Sequence, residues 1–218
     1  MSVVAPPDLE QATAEDVLAY MVERFHPRLY VACSFQKETS VMMDIALQVA
    51  PDVRFFTLDT GVLFPETYAT WQRFEEHHGV RVDSYQGISL ARQAELDGDR
   101  LWARDPDACC GIRKVAPLTE ALADVDAWIT GVRREQSPTR AGAEKVHWDE
   151  RHGVWKANPL ADWSERDVWD YIEERDLPYN ELHARGYPSI GCTHCTTPAV
   201  GREGRWAAHS KTECGLHD

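Results

Sequence analysis

An alternation repeated along the first two thirds of the chain limits the fold more than any other feature. A short apolar run gives way to a polar turn, and then to a stretch with helical period. "RLYVACS" (28–34) is such a run, and "KETSVMMDIALQVA" (37–50) follows it directly. In the second segment Val41, Ile45 and Val49 fall at i, i+4 spacing with Met42 and Ala46 beside them, which is one buried helix face. "VRFFTLDTG" repeats the strand pattern, and "FPETYATWQRFEEHHG" the helix, with Pro65 near its start and Gly79 past its end. "VRVDSYQ" and "DAWITGVR" read as two more strands, and "TAEDVLAYMVERF" upstream as an amphipathic helix with a capping box from Thr13 to Asp16. Strands alternating with helices imply crossover connections. The expected class is therefore α/β, a parallel twisted sheet flanked by helices.

The last third breaks the pattern. "DWSERDVWDYIEER" is a helix boxed by Ser164 and Asp167, but "DLPYNELHARGYPSIGCTHCTTPAVGREGRW" is rich in Gly and Pro and reads as irregular. Such a segment needs a staple, and a metal held by its CxxC would supply one. With 218 residues the chain suits a single domain. Formal net charge is −13, from 23 basic and 36 acidic residues, which argues against nucleic-acid and membrane-surface binding. An anionic ligand would have to find a local basic cluster, such as "GVRREQSPTR" or "GREGRWAAHSK". No apolar run approaches the roughly 20 residues of a membrane span, and the acidic start does not resemble a signal peptide. A cytoplasmic location is expected; self-association into a homo-oligomer is left open.

Two local patterns carry chemistry. The loop "VACSFQKETS" joins a strand to a helix, where backbone N–H groups favour phosphate, and Ser34, Gln36, Lys37 and Thr39 offer further donors. The string lacks Walker spacing and equally suits an ordinary strand-to-helix turn. The six cysteines fall as Cys33, Cys109 with Cys110, Cys192 with Cys195, and Cys214. The two pairs suit one four-thiolate site for Zn²⁺ or an iron–sulfur cluster, and adjacent cysteines sit more easily on a [4Fe–4S] cube than on a zinc knuckle. Buried cysteines without metal, or a redox disulfide at the CxxC, are the plainer readings. Cys33, at a strand end, reads as a buried small hydrophobe. His77 and His78 read as solvated, and His194 as a spacer inside the CxxC. Cys214 lies near the end of the sequence, where only its reactivity can give it a role.

Together "SFQKETS", "LDTGVLFPETY", "CCGIRKVAPL", "GVRREQSPTR", "NPLADWSERDVWDYI", "GCTHCT" and "ECGLH" resemble the assimilatory sulfonucleotide reductases, in order, from about residue 30 onward. The resemblance implies an adenine nucleotide α-hydrolase-like sheet of the PP-loop superfamily. It divides the single domain into a nucleotide-binding core (about 25–160), a helix and cluster-binding segment (161–205) and a mobile catalytic tail (206–218). The paired cysteines look like the iron–sulfur branch, which implies a [4Fe–4S] cluster on Cys109, Cys110, Cys192 and Cys195. That branch implies adenylyl sulfate (APS) as substrate, with phosphoadenylyl sulfate (PAPS) or dual use as the alternative. Cys214 is then the nucleophile, and thioredoxin or a similar dithiol protein the reductant. Ser34, Gln36 and Lys37 would line the phosphosulfate, the Leu58 backbone the adenine, and Lys114, Arg133, Arg140, Arg202 and Arg205 would form an anion clamp. Lys211 and His217 are expected to favour the Cys214 thiolate, Glu213 to oppose it, and Gly215 to turn the tail. The superfamily's ATP-cleaving members carry SGGxDS, which this loop lacks. A PP-loop ATP-dependent enzyme with a structural metal is thus the more distant reading, and a non-catalytic metal module a third.

Overall fold

A computed structural model describes residues 6–217. Its strands are β1 (Leu29–Ala32), β2 (Arg54–Leu58), β3 (Val82–Tyr85), β4 (Ala127–Ile129), β5 (Val146–Asp149) and β6 (Val154–Ala157), in sheet order β3-β2-β1-β4-β6-β5. All pairings are parallel except β5 with β6. The expected α/β sheet is therefore present. The first three strands run outward from β1 on one side, and β4 then returns to pair with β1 on the other. That reversal opens a crevice outside the carboxyl ends of β1 and β4, the usual ligand position in such sheets.

Period-two alternation divides the strands between two cores. Leu29, Val31, Phe55, Ala127 and Ile129 face one layer; Tyr30, Phe56 and Trp128 face the other. The first layer is closed by α1 (Ala14–Phe25), α2 (Lys37–Val49), α3 (Pro65–His78) and a later helix at Glu165–Glu174. Each fully buried Phe, Leu or Ile there contributes roughly 1.5–3 kcal/mol relative to exposure. Thr13 Oγ1 accepts from the Asp16 N–H at 3.1 Å, which is half of the expected box. The Ser164–Asp167 box is complete. His78 is half-buried and stacks on Phe74 rather than being solvated, while His77 is exposed.

Between β3 and β4 the chain forms α4 (Leu90–Asp97), α5 (Leu101–Arg104), α6 (Pro106–Cys110) and α7 (Ala116–Ala121), making the Glu165–Glu174 helix α8. A single π-helical turn, Gly111–Val115, joins α6 to α7 and carries Arg113 and Lys114. The β5–β6 hairpin was not anticipated from the sequence pattern. Gly153, at φ 66°, makes its turn, and the cross-strand pair Trp148–Trp155 meets at 5.4 Å between ring centroids. Among the described residues, no helix is long and apolar enough to cross a membrane.

Candidate active site

The loop after β1 is braced from within. Ser34 and Phe35 both donate their backbone N–H to Thr39 Oγ1, each at 3.1 Å, with Phe35 in the left-handed region at φ 55°. Thr39 was expected to donate to an anion; instead it accepts from the loop. The Lys37 N–H at the start of α2 donates to His183 Nε2 at 3.1 Å, while His183 Nδ1 meets the Tyr187 carbonyl at 2.8 Å. Burial, and then the Lys37 charge, push His183 down to about 4, so the ring is a neutral acceptor at ordinary pH. Several N–H groups that a polyphosphate would need are thus already paired.

The charges behind the loop are also paired. Lys37, 3% exposed, donates to the Pro188 carbonyl at 2.9 Å and lies 3.2 Å from Glu165 Oε1. Arg133, 2% exposed, donates to Glu38 through Nε (3.1 Å) and Nη2 (3.0 Å), and to Glu135 and Glu165 at 3.2 and 2.7 Å. Burial pushes the Glu38 carboxyl up, but the Lys37 and Arg133 charges outweigh it and hold the group below the usual carboxylate range. Arg133, expected in the anion clamp, has its guanidinium bonded to three carboxylates.

All nine residues expected to bind substrate, Ser34, Gln36, Lys37, Leu58, Lys114, Arg133, Arg140, Arg202 and Arg205, line one cavity of ≈ 480 Å³ together with Cys214. It opens at the carboxyl ends of β1, β2 and β4, with Phe56 and Trp128 as apolar walls. Gln36 also braces it, since its Oε1 accepts from the Ile190 N–H at 2.7 Å. Arg205 donates to Ser189 Oγ (3.2 Å) and the Ile190 carbonyl (3.3 Å), and its Nε has no partner. A Cβ on Gly191 would stand 2.3 Å from Arg205 Nη2, so any side chain there would displace the guanidinium from this position.

The tail is seated in this cavity. Cys214, 8% exposed, packs with Cys110 and Trp206. Gly215, at φ 81°, turns the chain as expected, and its carbonyl accepts from Arg151 Nη1 at 2.8 Å. Leu216 packs against the Trp128 core, and His217 stacks on Trp128 at 5.9 Å. Glu213 accepts from Arg140 Nε (2.9 Å) and Nη2 (2.7 Å) and from Arg202 Nη2 (3.1 Å). Burial raises the Glu213 carboxyl, but the Arg140 hydrogen bond and the two guanidinium charges bring it below its ordinary range. Arg202 is pushed down to about 10 by burial and then by Arg140.

Two expectations about the Cys214 thiolate change. Lys211 pairs with Asp107 on α6. His217 is held well below the ordinary imidazole range by burial and then by Lys156, so it carries no charge near neutral pH. The thiol is sensed by Arg202 and also by Lys114. Burial of Lys114 opposes its charge, but the Cys192, Cys214 and Cys110 sulfurs outweigh that and raise it.

Cys109, Cys110, Cys192 and Cys195 line one small cavity with Arg113, Lys114 and Trp206. The CxxC is clipped to the loop after β2, where the Thr193 N–H donates to the Val62 carbonyl at 2.9 Å and Cys192 Sγ meets Thr60 Oγ1 at 3.4 Å. His194 also lines this cavity and stacks on Trp102 at 4.1 Å. All six cysteines are free thiols. Cys195 is pushed up to about 11 by burial and then by Cys192 and Cys110, and Cys109 and Cys110 are raised by burial. Among the described residues, no three His, Cys, Asp or Glu side chains converge closely enough to hold a single metal ion. Four thiols do sit beside buried donors without partners, Arg113 Nε and Nη2 and Trp206 Nε1. That donor set fits a thiolate-held group of net negative charge. Cys33 is buried behind the loop, and burial raises its thiol far above the ordinary range.

The model of the phosphoadenosine phosphosulfate reductase domain matches residues 28–198. The chain belongs to this family. An adenosine 5′-phosphosulfate reductase of Geobacillus kaustophilus (strain HTA426) is 48% identical, over 97% of this chain and 93% of that protein. A phosphoadenosine 5′-phosphosulfate reductase of Gloeobacter violaceus is 46% identical, over 95% of this chain and 90% of that protein. Among solved structures, the phosphoadenylyl-sulfate reductase of Candida auris superposes with TM-score 0.78 at 28% identity, covering 90% of this chain and all of that one. The Candida glabrata FMN adenylyltransferase, at TM-score 0.62 and 12% identity, shares only the fold.

Proposed function

We propose that this protein is an adenylyl-sulfate reductase, releasing sulfite and AMP from APS for sulfate assimilation. One observation carries the reading: Cys214 reaches, from the end of the chain, into the same cavity as the β1 loop and Leu58. The adenosine moiety would lie against Leu58 and Phe56, with the phosphosulfate toward Lys114 and Arg205. These two cations have no carboxylate partner among the described residues. The Cys214 thiolate, in the same cavity as Lys114, attacks the sulfur of the anhydride. The S–O bond breaks and AMP leaves, giving Cys214–S–SO₃⁻. A thiolate of a dithiol protein such as thioredoxin then attacks Cys214 Sγ and expels sulfite. Its second thiol resolves the mixed disulfide, so the dithiol supplies both electrons.

Cys109, Cys110, Cys192 and Cys195 would hold a [4Fe–4S] cluster, and the unpartnered buried donors of Arg113 and Trp206 beside them would suit its negative charge. When bound, the cluster supplies a fixed negative centre that staples the irregular segment after α8. Sulfite release should be measured from APS and from PAPS, with thioredoxin, on anaerobically purified protein. Faster turnover of APS supports the reading. Equal or faster turnover of PAPS would move it toward the activity named for the Gloeobacter relative, and ATP turnover to pyrophosphate without sulfite would replace it.

A further inference from the structure

Glu213 is bonded far more heavily than an acidic residue near a chain end needs. Its Oε1 accepts from Arg140 Nε at 2.9 Å and Thr139 Oγ1 at 3.0 Å, with Ser137 Oγ at 3.4 Å. Its Oε2 accepts from Arg140 Nη2 at 2.7 Å and Arg202 Nη2 at 3.1 Å. The side chains of Glu213, Arg140 and Arg202 are only 14%, 10% and 15% exposed, so these are not the solvated pairs that contribute little. Both guanidiniums line the cavity that holds Cys214. A guanidinium fork that fits a carboxylate also fits the oxygens of a sulfate or phosphate.

We propose that Glu213 is a stand-in anion and a positioning residue. It holds Cys214 in the cavity through Arg140 and Arg202, and it exchanges on those two guanidiniums with the oxyanion of an arriving sulfonucleotide. The inference rests on the nucleotide reading above and adds a coupling to it. Without ligand, one carboxylate offsets two buried cations. An added oxyanion competes for the same donors and leaves the tail with weaker anchors: Leu216, the His217–Trp128 stack and the Arg151 bond to Gly215. Loosened in this way, Cys214 can follow the substrate sulfur and later meet a partner. Linkage makes the effect reciprocal, so whatever weakens the latch tightens the ligand.

The test uses the full chain, purified anaerobically, as wild type and as Glu213→Gln. The rate of Cys214 alkylation by iodoacetamide is read by peptide mass spectrometry, with and without AMP plus inorganic sulfate. AMP affinity is read by calorimetry in the same sulfate buffer. Ligand should speed wild-type alkylation about tenfold, the factor for losing one such charge-assisted bond of about 1.4 kcal/mol. Glu213→Gln should be about tenfold faster without ligand, respond little to it, and bind AMP about tenfold more tightly. Slow Cys33 alkylation in both proteins marks them as folded. Equal Cys214 rates in the two proteins, or weaker AMP binding by Glu213→Gln, would overturn the proposal. AMP binding absent from both proteins would instead overturn the nucleotide reading, and the ligand-free alkylation rates would still decide the latch.

Discussion

The two walls of the cavity carry similar charges in opposite states of compensation. On the loop wall Lys37, Glu38, Arg133 and Glu165 are bonded to one another, and the Ser34, Phe35 and Lys37 N–H groups are capped by Thr39 and His183. On the cysteine wall Lys114 and Arg205 are buried with no carboxylate partner among the described residues, and behind them Arg113, in the small cavity of the four cysteines, keeps two unpaired nitrogens. A buried charge without a partner is costly, so a wall built that way is completed by something that arrives. The comparison separates support from chemistry. Charges on the loop wall hold geometry, while under the proposed function those on the cysteine wall would meet sulfur anions and the substrate.

The largest expected effect lies on the cysteine wall. Cys214→Ser should reduce sulfite release to background, because a hydroxyl is a far poorer nucleophile near neutral pH. It should leave the thermal midpoint and AMP affinity near wild type. Near-normal turnover would make the tail cysteine incidental. Next is Arg133→Met on the loop wall. It leaves Glu38, which is 5% exposed, with Lys37 at 3.9 Å and the Gln136 amide at 3.0 Å, and should cost up to about 3–5 kcal/mol in urea unfolding. A loss below about 1 kcal/mol would mean the network is not the support described. Lys114→Met should behave in the opposite way. It removes a buried cation that lacks a carboxylate partner, so stability should stay within about 1 kcal/mol while sulfite release falls about 10²–10³-fold. If Lys114→Met unfolds the protein as Arg133→Met does, the contrast between the walls fails.

What the sequence made legible follows the same division. β1 to β4 were readable because apolar runs and helical periods are local signals. The β5–β6 hairpin was missed because β5 is half-buried throughout, with no alternation, and meets the more buried β6 through a Trp pair that only the pairing reveals. The short helices α4 to α7 were missed because Gly98 and the Asp105–Pro106 step break any longer period. The cysteine pairs announced themselves by spacing, and the structure brings them into one cavity. The docking of the tail did not, since Arg140 lies 73 residues before Glu213 and only the fold joins them. His183 gave no signal either, because its partner is a backbone N–H 146 residues away.

The smallest effect tests the loop wall through that histidine. His183 must stay neutral to accept from Lys37 N–H, and burial holds its folded value at about 4 against an ordinary 6.5. In that interval the unfolded chain binds a proton that the folded chain refuses, so stability falls as pH falls. The contribution is complete above pH 6.5 and is lost progressively toward pH 4. Between pH 7 and pH 5 this one group should remove at most about 2 kcal/mol, less where solvent reaches the ring. His183→Gln offers an amide oxygen to the same N–H but does not titrate. Its unfolding free energy, measured by urea at both pH values, should therefore decline less steeply than that of wild type. Parallel declines would mean that the ring is not what caps α2. The loop wall would then owe its rigidity to Thr39 and the Arg133 network alone.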